Sequence, residues 1–275
     1  MHGDGGVVVN SMELIDIGAN LGHDSFRHDL PQVLERAHAA GVTQVIVTGA
    51  SESESRAAHD IASAHPGVLF ATAGVHPHLA REWNGDTAMA IRELAQSPIV
   101  VAVGEAGLDF NRDFSPRPIQ ERVFAAQLEL AVALGMPVFM HERDAHDRFA
   151  AILGEFRSRL GPAVIHCFTG DAQELDHYLE LDLHVGITGW ICDDRRGTHL
   201  RELVSRIPLE RLMLETDSPY LLPRDLDPRP KSRRNEPMHL AHIVETVAAC
   251  RQIDPAELAD ATTRTARAFF GLEAP

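Results

Sequence analysis

Ile99–Glu105 reads IVVAVGE, an apolar run of strand length that closes on a glycine and a carboxylate. A buried β-strand wants apolar side chains along its length, so a glutamate in last place does nothing for packing and needs a partner. The same arrangement recurs in ELID at Asp16, PVFMH at His141, AVIH at His166 and LMLETD at Asp217. Five apolar runs thus stop on side chains that bind metals. In a (β/α)8 barrel all strands run parallel and their C-terminal ends converge on one face, where the catalytic groups of that architecture sit. The five positions are expected to meet there.

The rest of the chain fits that frame. Eight strand-like runs begin at Leu14, Gln44, Leu69, Ile99, Pro137, Ala163, His184 and Leu212. Between them lie stretches such as DLPQVLERAHAAG and IQERVFAAQLELAVALG, whose apolar positions recur at i, i+3 and i+4. Strands separated by single helices imply right-handed crossovers and a parallel sheet. A doubly wound open sheet shows the same alternation, but it places its ligand mainly at one switch point, whereas here polar strand ends are spread over the whole chain. The expected fold is an α/β, (β/α)8 TIM barrel of the metal-dependent, amidohydrolase-like type.

At 275 residues and 44% hydrophobic content the chain is long enough for one large core. Residues 13–275 are read as a single catalytic domain, and residues 1–12, MHGDGGVVVNSM, as a flexible extension without the basic and apolar regions of a signal peptide. No apolar stretch approaches the roughly 18 residues that a membrane-spanning helix needs, so a cytoplasmic monomer is expected. Cys167, Cys192 and Cys250 lie far apart with no CxxC, which argues against a disulfide framework or a thiolate zinc site and leaves them as packing residues. The net charge of −15 speaks against a nucleic-acid partner at first reading. The distribution answers that objection, because Arg224, Arg229, Lys231, Arg233 and Arg234 cluster in RDLDPRPKSRR after the last strand, and Arg195 and Arg196 follow another strand end. Barrel loops seven and eight often form phosphate sites.

His141 and His166 end successive strands, so their rings would be neighbours at the barrel mouth, and neutral imidazoles there are good ligands for a divalent cation. Either one alone reads as a hydrogen-bonded buried histidine. Together with Glu105 and Asp217 they describe a cleft whose charges call for a cation. Asp217 has two further readings, as a general base beside the metal and as a helix N-cap before SPY. His76 and His78, in GVHPH after the third strand, suit contact with a leaving oxygen or a phosphate, or else a turn held by Pro77.

GVHPH, GEAGLDFNRDFSP, PVFMHERDA, HCFTG, ITGWICDDRRG, ETDSPYLLPRDL and RRNEP occur in that order between Leu14 and Gly271. In these seven motifs the chain resembles the TatD family of metal-dependent deoxyribonucleases. The resemblance implies a TIM barrel, dependence on Mg²⁺ (with Mn²⁺ or another divalent cation as substitutes), and 3′ to 5′ hydrolysis of phosphodiester bonds in DNA with some action on RNA. A part in DNA repair or nucleic-acid degradation is likewise only implied. Carried over by position, Glu105, His141 and His166 fall where the family binds metal, Asp217 falls on its essential aspartate of the eighth strand, and Asn235 and Glu236 fall in its NEP segment. Most relatives begin with Asp-x-His-x-His, and this chain has Asp16, Gly18 and Asn20 in those places, so two imidazole ligands are missing. The remaining oxygen-rich pocket suits hard Mg²⁺ or Mn²⁺ better than Zn²⁺.

The implied site holds one or two ions on Glu105, His141, His166 and Asp217, with Asp16 or Asn20 contributing. Arg112, Arg143 and Arg234 are the candidates for neutralising the phosphate, and Phe110, Phe168, Trp190 and Tyr220 for stacking on a base. Two other classes remain open from the sequence. An amidohydrolase acting on a small cyclic amide would use the same barrel but normally needs the missing His-x-His pair. A non-catalytic nucleic-acid-binding relative would have no use for an acidic cavity.

Overall fold

The computed structural model describes residues 12–274. Apart from Met12, the extension expected at residues 1–12 lies outside the described residues. Among them, eight parallel strands pair in chain order: β1 (Leu14–Ala19), β2 (Val42–Val47), β3 (Leu69–Ala73), β4 (Val100–Asp109), β5 (Val138–Arg143), β6 (Ala163–Ile165), β7 (His184–Ile187) and β8 (Leu212–Leu214). The helices that follow them in turn are α1 (Leu30–Ala39), α2 (Glu52–Ser63), α3 (Gly85–Leu94), α4 (Arg117–Leu134), α5 (His146–Phe156), α6 (Ala172–Glu180), α7 (Thr198–Leu203) and α8 (Leu240–Arg251), and α9 (Pro255–Phe270) ends the chain. A sequential order has no switch point, so the open-sheet alternative falls and the fold is the TIM barrel. No described helix is long and apolar enough to cross a membrane.

The barrel is filled from within by Ile15, Ile17, Ile46, Ala102, Phe139, Val164 and Met213, which form one buried cluster with Phe269, Phe270 and Leu272. Those last three residues belong to the C-terminal end of α9 and the short tail beyond it. Leu272 and Phe270 lie beside Gln44, Phe70 and Val100, at the starts of β2, β3 and β4, so the chain's end seals the N-terminal floor. The other end stays open to polar chemistry.

Closure of the barrel happens at that polar end. Ala19 and Ser218 form a parallel bridge, Asp217 N–H donates to Gly18 O at 2.8 Å, and Asn20 N–H donates to Ser218 O at 2.7 Å. Three strands also run past the points at which the sequence reading stops them: β1 continues beyond Asp16 to Ala19, β4 beyond Glu105 to Asp109, and β5 beyond His141 to Arg143. The ladder can continue because small residues let neighbouring backbones come together. At Gly107, φ is 153° and a Cβ would lie 1.8 Å from the carbonyl oxygen of His141, a place open to glycine alone.

Candidate metal centre

Glu105 lies inside β4 and is buried, facing the open end of the barrel. Its Oε1 stands 2.7 Å from His166 Nε2, 3.1 Å from His141 Nδ1 and 3.3 Å from His76 Nε2. His141 comes from β5, His166 from the residue after β6, and His76 from the turn after β3, so four neighbouring strands supply one cluster. One donor atom each from His76, Glu105 and His141 lie within 4.8 Å of one another. An octahedral ion with ligands at 2.0–2.1 Å sets adjacent donors about 3 Å apart, and the separations around Glu105 match that spacing. His141 Nε2 is also buried without a hydrogen-bond partner, with Asp109 Oδ2 3.5 Å away. The donor set fits a divalent cation.

The electrostatics centre on one buried carboxylate held in its charged form among imidazoles. Burial alone would raise Glu105, but His76, His166 and His141 hold its carboxyl well below the usual range, so it stays charged. Burial drives His76 down to about 3, which keeps its ring neutral and its lone pair available. Burial opposes charge on His166 too, yet Glu105 and Glu215 override it and raise that ring well above its ordinary value. His141 is raised by Asp109 and Glu105 against the same burial penalty.

Two carboxylates absent from the sequence-level set support these ligands. Glu215 is fully buried, with Oε2 3.3 Å from His166 Nδ1 and Oε1 accepting from Cys167 N–H at 2.5 Å. It occupies space that only glycines leave, since a Cβ at Gly18 would lie 2.4 Å from Oε2 and one at Gly186 2.6 Å from Oε1. Asp109, the last residue of β4, is 2.7 Å from His78 Nε2 and accepts from the backbone N–H groups of Asn111 and Arg112. Ring orientation in ligand histidines is commonly set by such an acceptor on the far nitrogen. Asp109 was visible as alternation, four residues after Glu105 on the same strand face, whereas Glu215 stands two residues before Asp217 in the segment that follows β8.

Asp217 and Asp16 sit at the β1–β8 seam. Asp217 follows β8 in a left-handed turn, φ 52°, and its Oδ1 accepts from Asn20 Nδ2 at 3.0 Å. Burial pushes it up to about 7, with Glu105 and Glu215 adding to the rise and His166 and Asn20 opposing it. No helix starts between Asp217 and Pro237, which removes the N-cap reading of Asp217. Asp16 is buried inside β1, where it accepts from Thr216 N–H at 2.9 Å, Thr216 O–H at 2.5 Å and Gly18 N–H at 3.2 Å. Its oxygens thus staple the seam, and Asp16 is absent from the donor group that includes Glu105.

The arginines go to different places. Arg143, two residues beyond His141 on the same strand face, donates to Thr169 Oγ1 at 2.5 Å and lies 5.3 Å above the Trp190 ring. Arg112 is exposed on the loop after β4. Arg234 is taken up by Asp29 at 2.7–2.8 Å and by Glu236 at 2.6 Å, and it stacks on Phe26, so its guanidinium braces the loop after β8. Asn235 works with it, donating from Nδ2 to Thr216 O at 2.9 Å, which makes the NEP segment a positioning device for the Thr216–Asp217 turn. Phe168 is buried, whereas Tyr220 is 52% exposed beside His23 and Phe114, unremarked in the sequence, is 61% exposed against His78.

Residues 15–271 match the family model described as TatD related DNase. The chain belongs to the TatD DNase family. A relative from Rahnella sp. (strain Y9602), named 3′-5′ ssDNA/RNA exonuclease TatD, is 54% identical over 261 residues, covering 95% of this chain and 99% of that protein. The crystal structure of YJJV, a TatD homolog from Escherichia coli K12, superposes with a TM-score of 0.86 at 26% identity, covering 95% of this chain and 99% of the other. An uncharacterized amidohydrolase from Saccharomyces cerevisiae superposes at 0.83 with 23% identity over 94% of this chain and all (100%) of the other, so the two share a fold.

The departure from the TatD family's usual first strand has a structural reading. Where most relatives carry two histidines, Gly18 leaves room for the Glu215 carboxylate and Asn20 offers an amide to Asp217. Hydrogen bonds hold that side of the mouth. The histidine-rich side, around Glu105, is intact.

Proposed function

We propose that this TatD-family hydrolase is a divalent-metal-dependent 3′–5′ exonuclease acting on single-stranded DNA and on RNA. The observation that carries the reading is the convergence of three imidazoles on Glu105 at the open end of the barrel, in a chain 54% identical to a protein named for that activity. Glu105, His76, His141 and His166 would hold the ion; the carboxylates of Glu105 and Asp217 admit the Mg²⁺ or Mn²⁺ that the family resemblance implies, and the three imidazoles also suit a softer divalent ion such as Zn²⁺. When bound, such an ion polarises a non-bridging phosphate oxygen and acidifies water.

The chain's own residues supply the remainder. Asp217 has one oxygen fixed by Asn20, and burial brings its pKa to about 7, so its other oxygen can take the proton of the attacking water near neutral pH. Arg143 stands on the strand face of His141 and is anchored by Thr169, where it can neutralise charge that develops on the phosphate. His78, held by Asp109, would donate toward the leaving oxygen. Phe114 and Tyr220 offer exposed rings on two sides of the mouth, one against His78 and one three residues past Asp217, and stacking of a terminal base on either is independent of sequence. The test is a metal titration of EDTA-stripped protein with 3′- and 5′-labelled single strands. Release of mononucleotides from the 3′ end only with added Mg²⁺ or Mn²⁺, and none from Glu105→Ala, supports the reading, and metal-independent or internal cleavage contradicts it.

A further inference from the structure

Away from the Glu105 cluster, the segments after β7 and β8 meet α8 in a second group of ligand-type side chains. Cys192 ends the 3-10 turn Gly189–Cys192 that follows β7, Asp225 lies in the arginine-rich loop after β8, and His242 is in the first turn of α8. One donor atom of each lies within 4.8 Å of the other two. His242 Nε2 is 2.7 Å from Asp225 Oδ1, and the buried Cys192 thiol donates to Thr246 Oγ1 at 3.4 Å. An exposed His–Asp pair contributes little by itself, and it gives no reason for a buried thiol to face it.

We propose that Cys192, Asp225 and His242 form a separate site for a thiophilic divalent cation, Zn²⁺ by chemistry, which clips the loop after β8 to the barrel. One sulfur, one nitrogen and one oxygen donor make the set of a tetrahedral zinc site with a fourth position open to water. A thiolate ligand disfavours Mg²⁺ and favours a thiophilic ion at this site. A tetrahedral ion with ligands at 2.0–2.3 Å requires donors about 3.3–3.7 Å apart. The present separations are 2.7 Å for His242–Asp225 and no more than 4.8 Å for the sulfur, so the three donors lie close enough to share one ion. The neighbouring Arg201 does not fill the site, because its guanidinium is bound to Ile191 O at 3.0 Å and Asp194 at 2.7 Å.

The consequence falls on the basic loop. Arg224, adjacent to Asp225, pairs with Asp193 at 3.0 Å, and Arg229, Lys231 and Arg233 line one groove with Trp190. An ion on Asp225 tethers the segment that carries these cations.

Full-length protein stripped with EDTA and titrated with Co²⁺ provides the test, since a thiolate ligand gives a near-ultraviolet charge-transfer band. The expected band is removed by excess Zn²⁺, abolished in Cys192→Ser, lowered at least about tenfold in affinity in His242→Asn, and retained in Cys167→Ser, Cys250→Ser and Glu105→Ala. His242 is partly exposed, so His242→Asn keeps the test valid if Cys192→Ser fails to fold. Free Zn²⁺ at ten times its Kd is expected to slow tryptic cleavage after Lys231 and Arg233 about tenfold in wild type and not in His242→Asn. No band, a band that survives Cys192→Ser, or one lost in Cys167→Ser or Cys250→Ser overturns the site. Cleavage that ignores Zn²⁺ overturns the clip. None of these readouts depends on nuclease activity.

Discussion

Replacing Glu215 by glutamine changes no shape and removes one charge from the most enclosed part of the site. Its Oε1 receives Cys167 N–H at 2.5 Å and its Oε2 faces His166 Nδ1 at 3.3 Å, while Gly18 and Gly186 leave no room for the group to swing away. Oε1 faces a backbone donor, so the NH2 of glutamine must face His166 Nδ1, which then has to act as acceptor with Nε2–H toward Glu105. A hydrogen bond to a charged group contributes about 1.5–3 kcal/mol, so a loss of that order in the metal-free protein follows. His166 also loses the acceptor that fixes its tautomer, and removal of such a partner weakens metal binding about 10- to 100-fold. Calorimetric Mn²⁺ titration, with urea unfolding of the same samples, measures both effects. If Mn²⁺ affinity stays within about twofold of wild type, Glu215 does not orient a ligand and the reasoning fails.

Glu105→Ala should lower release of 3′ nucleotides by about a thousandfold or more while the fold persists by circular dichroism, since it removes the oxygen shared by three imidazoles. Gly18→Ala should destabilise by about 1–3 kcal/mol in urea titration, because its Cβ would meet Glu215 Oε2 at 2.4 Å. Phe114→Ala and Tyr220→Ala should each raise KM for oligonucleotides by about tenfold with kcat little changed in steady-state assays, as expected for lost base stacking. Glu236 is held below its ordinary pKa, burial notwithstanding, by Arg36 and Arg234. A depressed carboxyl stabilises the fold above its unfolded value of about 4.3 and loses that contribution as pH falls through the folded value. The stability gap between wild type and Glu236→Gln, followed by urea midpoint, should therefore be full at neutral pH and close as the pH drops below about 4.

The strands of the barrel were legible because each is a short apolar run, five of them stopping on a metal-binding side chain, and each of the eight regions read from the chain holds a strand. The floor was not. Phe269 and Phe270 read as one more amphipathic helix end, and their burial against Ile15 and Val101 exists only once the barrel has closed. At the mouth, the residues with obvious ligand chemistry, Glu105, His141 and His166, come together, and His76 joins them from a turn whose sequence reads equally well as structural. Glu215 and Asp109 escaped because each lies near a more conspicuous group, although same-face spacing pointed to Asp109. Arginine was the least legible type. Nothing in RPKSRRNE distinguishes Arg234, bound to Asp29 and Glu236, from Arg233, which lines the groove beside Trp190. That distinction arises from α1 and the loop before it, far away in sequence.

Anomalous scattering from a crystal grown with Mn²⁺ addresses the shared cation most directly. The account predicts the strongest peak within about 2.5 Å of Glu105 Oε1 and of ring nitrogens from His76, His141 and His166. A mouth without a peak, or a peak seated instead on Asp16 at the Thr216 seam, would contradict it.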